Sequence, residues 1–110
     1  MLVSSGHVLK LDSTGPPLGI LVDAAWEERI LTLQTARRVI LYTDGIPEAG
    51  VPANDLGEKG LMDLLRETAG ADLAAQIKQA LQDASLRSDN RLPDDATLMA
   101  FEVLRPEPPF

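Results

Sequence analysis

Residues 38–46 read Arg38-Val39-Ile40-Leu41-Tyr42-Thr43-Asp44-Gly45-Ile46, a run of β-branched and large apolar side chains that stops at an Asp-Gly pair. From Arg38 to Thr43 the run lacks clean alternation, and continuous apolarity predicts a central strand covered on both faces. Upstream, Glu28 to Gln34 alternates, with Ile30 and Thr32 on one face and Leu31 and Leu33 on the other. That pattern predicts a strand joined to the central one by a hairpin through Ala36-Arg37. Before it, Ser13-Thr14-Gly15-Pro16-Pro17 forms a rigid turn, and the apolar stretch Leu18 to Val22 reads as a further short strand. At the start of the chain, Leu2-Val3 and Val8 to Leu11 flank Ser4-Ser5-Gly6-His7, which predicts another hairpin with His7 at the surface. A strand already running at residue 2 leads us to expect that the sheet continues upstream of this sequence.

Downstream of the Asp-Gly pair, residues 44–60 hold Gly45, Pro47, Gly50, Pro52, Asn54, Gly57 and Gly60, the signature of an irregular surface excursion with one helical turn near Pro47–Ala49. Two amphipathic helices follow. Leu61, Leu64, Leu65 and Thr68 define the inner face of the first, and Leu73, Ile77, Ala80, Leu81 and Ala84 that of the second. Gly70 is placed to end the first helix and Asp72 to cap the second. A polar stretch with Asp89-Asn90 and Pro93-Asp94-Asp95 then leads into a last strand from Ala96 to Leu104, and a Pro-rich tail closes the sequence. Strands, two helices and a final strand make an α+β class rather than alternating βαβ units.

Composition narrows the chemistry. Seventeen acidic residues against ten basic ones in 110 give a net charge of −7, and 45% of the residues are hydrophobic, which suits one globular unit. No cysteine is present, so disulfides, zinc ribbons and thiol nucleophiles are excluded. A single histidine excludes a histidine-rich metal cluster. No apolar run approaches the roughly 18 residues that span a bilayer, and no signal-peptide pattern opens the chain, so no membrane partner is expected and the expected location is the cytoplasm. The acidic balance and scattered basic residues also argue against nucleic acid.

Asp44 follows one apolar strand, and Asp94-Asp95 precedes another. If the two strands are antiparallel neighbours, Asp44 and Asp94 converge at one edge of the sheet. Carboxylates on strand ends suit hard cations such as Mg²⁺ or Mn²⁺, and Gly45 would leave room for an ion and its waters. The same residue pairs also make ordinary turns, with Asp-Gly closing a strand and Asp-Asp forming a solvated Asx loop. Trp26, among Glu27, Glu28 and Arg29, reads as a core or helix-packing aromatic, and Glu48 as a solvated loop carboxylate close to Asp44.

Three strings occur in order: Asp12-Ser13-Thr14-Gly15-Pro16-Pro17-Leu18-Gly19, Val39-Ile40-Leu41-Tyr42-Thr43-Asp44-Gly45-Ile46-Pro47-Glu48-Ala49, and Asp94-Asp95-Ala96-Thr97-Leu98. Together they resemble the C-terminal half of the bacterial PP2C-like, or PPM-type, serine/threonine phosphatases of the sporulation stage II protein E type, over about Leu2 to Leu104. The resemblance implies part of an αββα sandwich, two antiparallel sheets flanked by helices. It implies Asp44 and Asp94 as metal ligands, with Gly45 and Asp95 as possible additions, and no side-chain nucleophile. It further implies Mn²⁺ or Mg²⁺ as cofactor, with two ions about 3.5–4 Å apart activating a water toward a phosphoserine or phosphothreonine.

The implied substrate is a phosphorylated protein of bacterial signalling, such as an anti-anti-sigma factor. In the family an N-terminal half carries further metal ligands, and no such block stands before Asp12. The isolated chain is therefore expected to be the C-terminal portion of one domain and poorly active by itself. The alternative is a non-catalytic phosphatase-like module that binds a signalling partner, with open sheet edges that favour homodimers or strand exchange.

Overall fold

The computed structural model describes residues 1–33, 37–91 and 95–104. Along the chain run β1 (Leu2–Ser4), β2 (His7–Leu9), β3 (Arg37–Tyr42), α1 (Gly57–Glu67), α2 (Leu73–Arg87) and β4 (Leu98–Val103). The four strands form one antiparallel sheet in the order β2-β1-β3-β4. Both helices pack on the same side of it, α1 against β1 and β2, and α2 against β4. The class is α+β, and one sheet with two helices is a part of the sandwich that the resemblance implies.

The register explains the core. Val3 pairs with Val8 and Arg38, and Ile40 pairs with Ala100, so these residues share the face under the helices. Leu61 and Leu65, one helical turn apart, come down from α1 onto Val3, Ile40 and Ile46, and Ala80 comes from α2. On α2 the buried row is Gln76, Ala80 and Ala84, while Leu81 is exposed. The expected inner face containing Leu81 is therefore rotated. A small, flat row lets α2 approach the sheet closely, and Gln76 is buried because it completes a polar junction. Arg38 Nη1 donates to Gln76 Oε1 (2.9 Å), and Arg38 Nη2 donates to the Ala71 carbonyl (2.6 Å). Gln76 Nε2 in turn donates to the Leu65 carbonyl (3.0 Å). Asp72 caps α2 as expected, accepting from the Ala75 N–H at 2.7 Å. α1 ends at Glu67 with Thr68 as its C-cap, ahead of Gly70.

Two expected strands are absent. Leu18 to Val22 forms turns, and residues 28–33 carry no regular structure, so no hairpin joins them to β3; Gln34 to Ala36 of that hairpin lie outside the described residues. Side chains alternating along 28–33 have no neighbouring strand here to pair with, and an isolated strand leaves its backbone groups to water. Trp26 belongs to neither core nor helix packing. Its indole N–H donates to the Pro16 carbonyl (2.8 Å), and Thr14 Oγ1 accepts from the Glu27 N–H (3.0 Å), which together close the neck of a loop. A side chain at Gly15 would collide with the Trp26 ring.

β3 is central, as expected, yet covered on only one face. Leu9, Leu41, Met99 and Phe101 line the other face and are exposed. The smallest extent of the molecule is 19 Å, close to the thickness of one sheet and one helix layer. Among the described residues no helix is long and apolar enough to cross a membrane.

Candidate functional site

β3 and β4 pair in register from Arg37↔Val103 to Tyr42↔Leu98, so the C-terminal end of β3 and the N-terminal end of β4 meet at one edge of the sheet. The ladder runs one step further. The Thr43 N–H donates to the Thr97 carbonyl (3.0 Å), and the Thr97 N–H donates to Thr43 Oγ1 (2.9 Å). The hydroxyl of Thr43 also donates to the Asp95 carbonyl at 3.4 Å. Immediately beyond, Asp44 turns outward, exposed, and its carbonyl accepts from the Glu48 N–H (2.9 Å) to start the tight turns of residues 44–50.

Gly45 is buried against the chain entering β4. A Cβ at this position would collide with the Asp95 carbonyl, so the close approach of the two segments requires glycine. Gly45 thus acts by letting the backbones touch rather than by leaving space for an ion. The main chain of Asp95 lies over the Asp44-Gly45 turn; Asp94 lies outside the described residues. Glu48 is exposed on the same turn, and His7 is exposed on β2, away from this edge.

Asp44 lines a cleft of about 380 Å³ whose other polar residues are Lys10, Asp12, Ser13, Tyr42 and Glu58. Lys10 binds Asp12 (2.7 Å) and Glu58, and the Tyr42 hydroxyl donates to Glu58 Oε1 (3.3 Å). The hydrogen bonds that the Lys10 ammonium donates to Asp12 and then to Glu58 hold it well above its ordinary pKa. Partial burial, followed by the negative charge of Glu58, raises the Tyr42 phenol. Sequence reading did not single out Lys10, Tyr42 or Glu58. Asp12 and Tyr42 stand inside two of the quoted strings, but the cluster joins residues as much as 48 positions apart, which no local periodicity reveals.

The donor chemistry fits a hard cation in kind. Asp44 is an exposed carboxylate on a strand end that is fixed by the ladder below it. Among the described residues, however, no three histidine or acidic side chains gather closely enough to hold a metal ion.

Comparison with curated proteins finds no match, and comparison with solved structures finds none. The family model described as stage II sporulation protein E matches residues 1–104. That span takes in all three strings, both helices and the Asp44 edge, and proteins of this family are generally metal-dependent phosphatases. The chain belongs to the stage II sporulation protein E family.

Proposed function

We propose that this chain is the C-terminal portion of a single PP2C-like domain that hydrolyses phosphoserine or phosphothreonine in a signalling protein of the cytoplasm. An anti-anti-sigma factor is a fitting substrate class. The observation that carries the reading is the family match over residues 1–104 in a chain whose Asp44-Gly45 turn lies against the segment entering β4. In this reading Asp44 and Asp94 bind Mn²⁺ or Mg²⁺, and Gly45 and Asp95 set the distance between the two segments. When bound, the metal supplies Lewis acidity and an activated water. Asp44 holds its place through the Thr43–Thr97 pair beneath it. Lys10, held by Asp12 and Glu58 in the same cleft, keeps those two carboxylates compensated beside Asp44. Two divalent ions carry more positive charge than two aspartates offset, so full activity requires carboxylates from a complementary N-terminal segment.

A second reading, a phosphatase-like module that binds a signalling partner, is favoured by the uncovered apolar sheet face of Leu9, Leu41, Met99 and Phe101. One experiment separates the two. Mn²⁺ is titrated into the chain by calorimetry and amide NMR, alone and with the N-terminal half of a related phosphatase, and phosphate release from a phosphoserine peptide is followed in parallel. Saturable binding that is lost in both Asp44→Asn and Asp94→Asn, with phosphate release in the complemented sample, is the expected result. Binding indifferent to both substitutions, with no release after complementation, would leave the interaction module.

A further inference from the structure

We propose that the pocket between residues 50–54 and the C-terminal end of α2 binds a phosphate-type oxyanion, either free phosphate or the phosphoryl group of a phosphoserine, through Arg87, Arg91, Ser88 and Asn54. These four residues line a space of about 380 Å³ together with one carboxylate, Asp89. The pocket shares no residue with the cleft beside Asp44.

Both walls are fixed by the fold. Along one, the Asn54 N–H donates to the Gly50 carbonyl (2.9 Å), and Gly50, at a φ of +92°, has no room for a Cβ against the Asn54 carbonyl. Along the other, α2 closes on its own cap. The Ser85 carbonyl accepts from the Ser88 and Asn90 N–H groups (3.2 and 2.7 Å), and the Leu86 carbonyl accepts from the Asp89 N–H (3.4 Å). Terminal carbonyls that would repel an anion are therefore already engaged. Arg87 joins the walls, its Nε donating to Asp83 (3.2 Å) and its Nη1 to Asn54 Oδ1 (3.3 Å) and the Asp55 carbonyl (3.5 Å).

More donors remain than the chain uses. With Nε and Nη1 engaged, Arg87 keeps Nη2 without a partner among the described residues. Asn54 engages its side-chain oxygen with Arg87, which leaves both N–H groups of its amide. Arg91 is exposed and makes no ion pair among the described residues. Ser88 Oγ is the one buried side-chain polar atom, among the described residues, that lacks a hydrogen-bond partner. Buried hydroxyls are nearly always satisfied, so this exception points to an acceptor that the chain does not itself supply.

The donor set selects the ligand. Guanidinium forks match phosphate oxygens, and a tetrahedral oxyanion accepts from several directions at once. A cation would face two arginines, and an apolar ligand would leave the Ser88 hydroxyl and the Asn54 amide unsatisfied. Two arginines in one pocket also reverse the sign of a chain whose net charge is −7. Asp89 in the pocket and Asp83 beside Arg87 reduce that charge, so hydrogen bonding sets the affinity and binding should be weak. Residues 44–50 lead from Asp44 into one wall, and Arg91 stands three residues before Asp94. An anion held here would tie those two segments together, a consequence that rests on the proposed function, whereas the site itself does not.

Amide NMR of the full chain, with no metal added, tests the site. Sodium phosphate is titrated in one arm and a phosphoserine peptide in the other, at constant ionic strength against sodium chloride. Saturable shifts should gather on residues 50–54 and 88–91, with a dissociation constant of ~1 mM. Arg91→Met and Ser88→Ala should each weaken binding by about threefold or more. Arg29→Met, which removes the same charge from an exposed position outside the pocket, should leave it unchanged. Ser88→Ala should not lower the urea midpoint, because its hydroxyl has no partner to lose. Response to both ligands assigns the site to a phosphoprotein, and response to phosphate alone assigns it to the free ion. The proposal is overturned by no saturable shift in either arm, by shifts centred on residues 43–46, or by a lowered midpoint in Ser88→Ala. Equal weakening in Arg29→Met and Arg91→Met would show an adventitious ion only and overturn it as well. Since neither metal nor turnover enters the measurement, failure of the Asp44 and Asp94 reading would leave these results unchanged.

Discussion

Residues 18–33 and residues 37–65 are both rich in leucine, isoleucine and valine, and they meet opposite fates. Val22 and Ile30 are 101% and 94% exposed, whereas Ile40, Leu61 and Leu65 are 1%, 0% and 0% exposed. The difference lies in what each stretch can lean on. Ile40 sits on a strand with neighbours on both sides, under a helix that delivers Leu61 and Leu65 onto it. The 18–33 stretch is closed at its neck by Thr14, Pro16, Trp26 and Glu27, but among the described residues no strand pairs with it and no helix packs on it. An apolar pattern becomes structure only where a second surface completes the burial.

The strongest way to break this comparison is to cut one side chain from each stretch. Leu65→Ala should lower stability by about 3 kcal/mol, the sum of lost transfer energy and the cavity left behind. Ile30→Ala should change it by less than about 0.5 kcal/mol, as an exposed substitution does. Urea denaturation of both variants checks the pair. A loss above about 1 kcal/mol in Ile30→Ala would show that the 18–33 stretch packs in solution, and the contrast would fail.

Polar groups sharpen the same contrast at a smaller scale. Arg38 is buried at the junction of β3, β4 and α2, giving bonds to Gln76 and Ala71 and an ion pair to Glu102 at 3.4 Å. Arg66 pairs with Asp63 (2.8 Å) on the exposed side of α1. Arg38→Met would leave the buried Gln76 Oε1 and the part-buried Ala71 carbonyl without this donor, a loss of about 2 kcal/mol. Arg66→Met should cost at most about 0.5 kcal/mol, because exposed ion pairs contribute little. Equal effects in denaturant would mean that water reaches the Arg38 junction.

These residues also show how far the sequence could be read. The two helices were legible because each carries its own period, β3 and β4 because each is a continuous apolar run, β1 and β2 as short apolar runs around a turn, and Asp72 because a cap is a local signal. The meeting of the Asp44 turn with the Asp95 segment was legible as well, since antiparallel neighbours bring the end of one strand to the start of the other. Gln76 was not, because a polar residue on a helix looks solvent-facing until Arg38 arrives from 38 positions away. The strand expected from Glu28 is not formed over the described residues 28–33 for the converse reason. Its alternation is a real propensity, but strand pairing is a tertiary event that needs a free edge within reach.

The smallest effect tests where the two stretches join. Lys10 leaves β2 at the entrance to the loop and is held there by Asp12 and Glu58, while Tyr42 at the end of β3 donates to the same Glu58. Both Lys10 and Tyr42 have pKa values raised in the folded chain. A raised lysine is stabilised as the cation and a raised tyrosine as the neutral phenol. In each case the folded state keeps a proton that the unfolded state releases first. The resulting stabilisation is complete below about pH 10, where the unfolded groups are still protonated, and is lost as pH rises through the folded values. Thermal melts should therefore be insensitive to these groups between neutrality and pH 10 and fall above it, by less than either core substitution. Glu58→Gln removes the carboxylate that Lys10 and Tyr42 share and should flatten that alkaline fall, leaving the parts due to Asp12 and to burial of the phenol. An unchanged alkaline slope in Glu58→Gln would mean that Glu58 does not tie the loop entrance to β3, and that the neck at Thr14 and Trp26 holds the 18–33 stretch by itself.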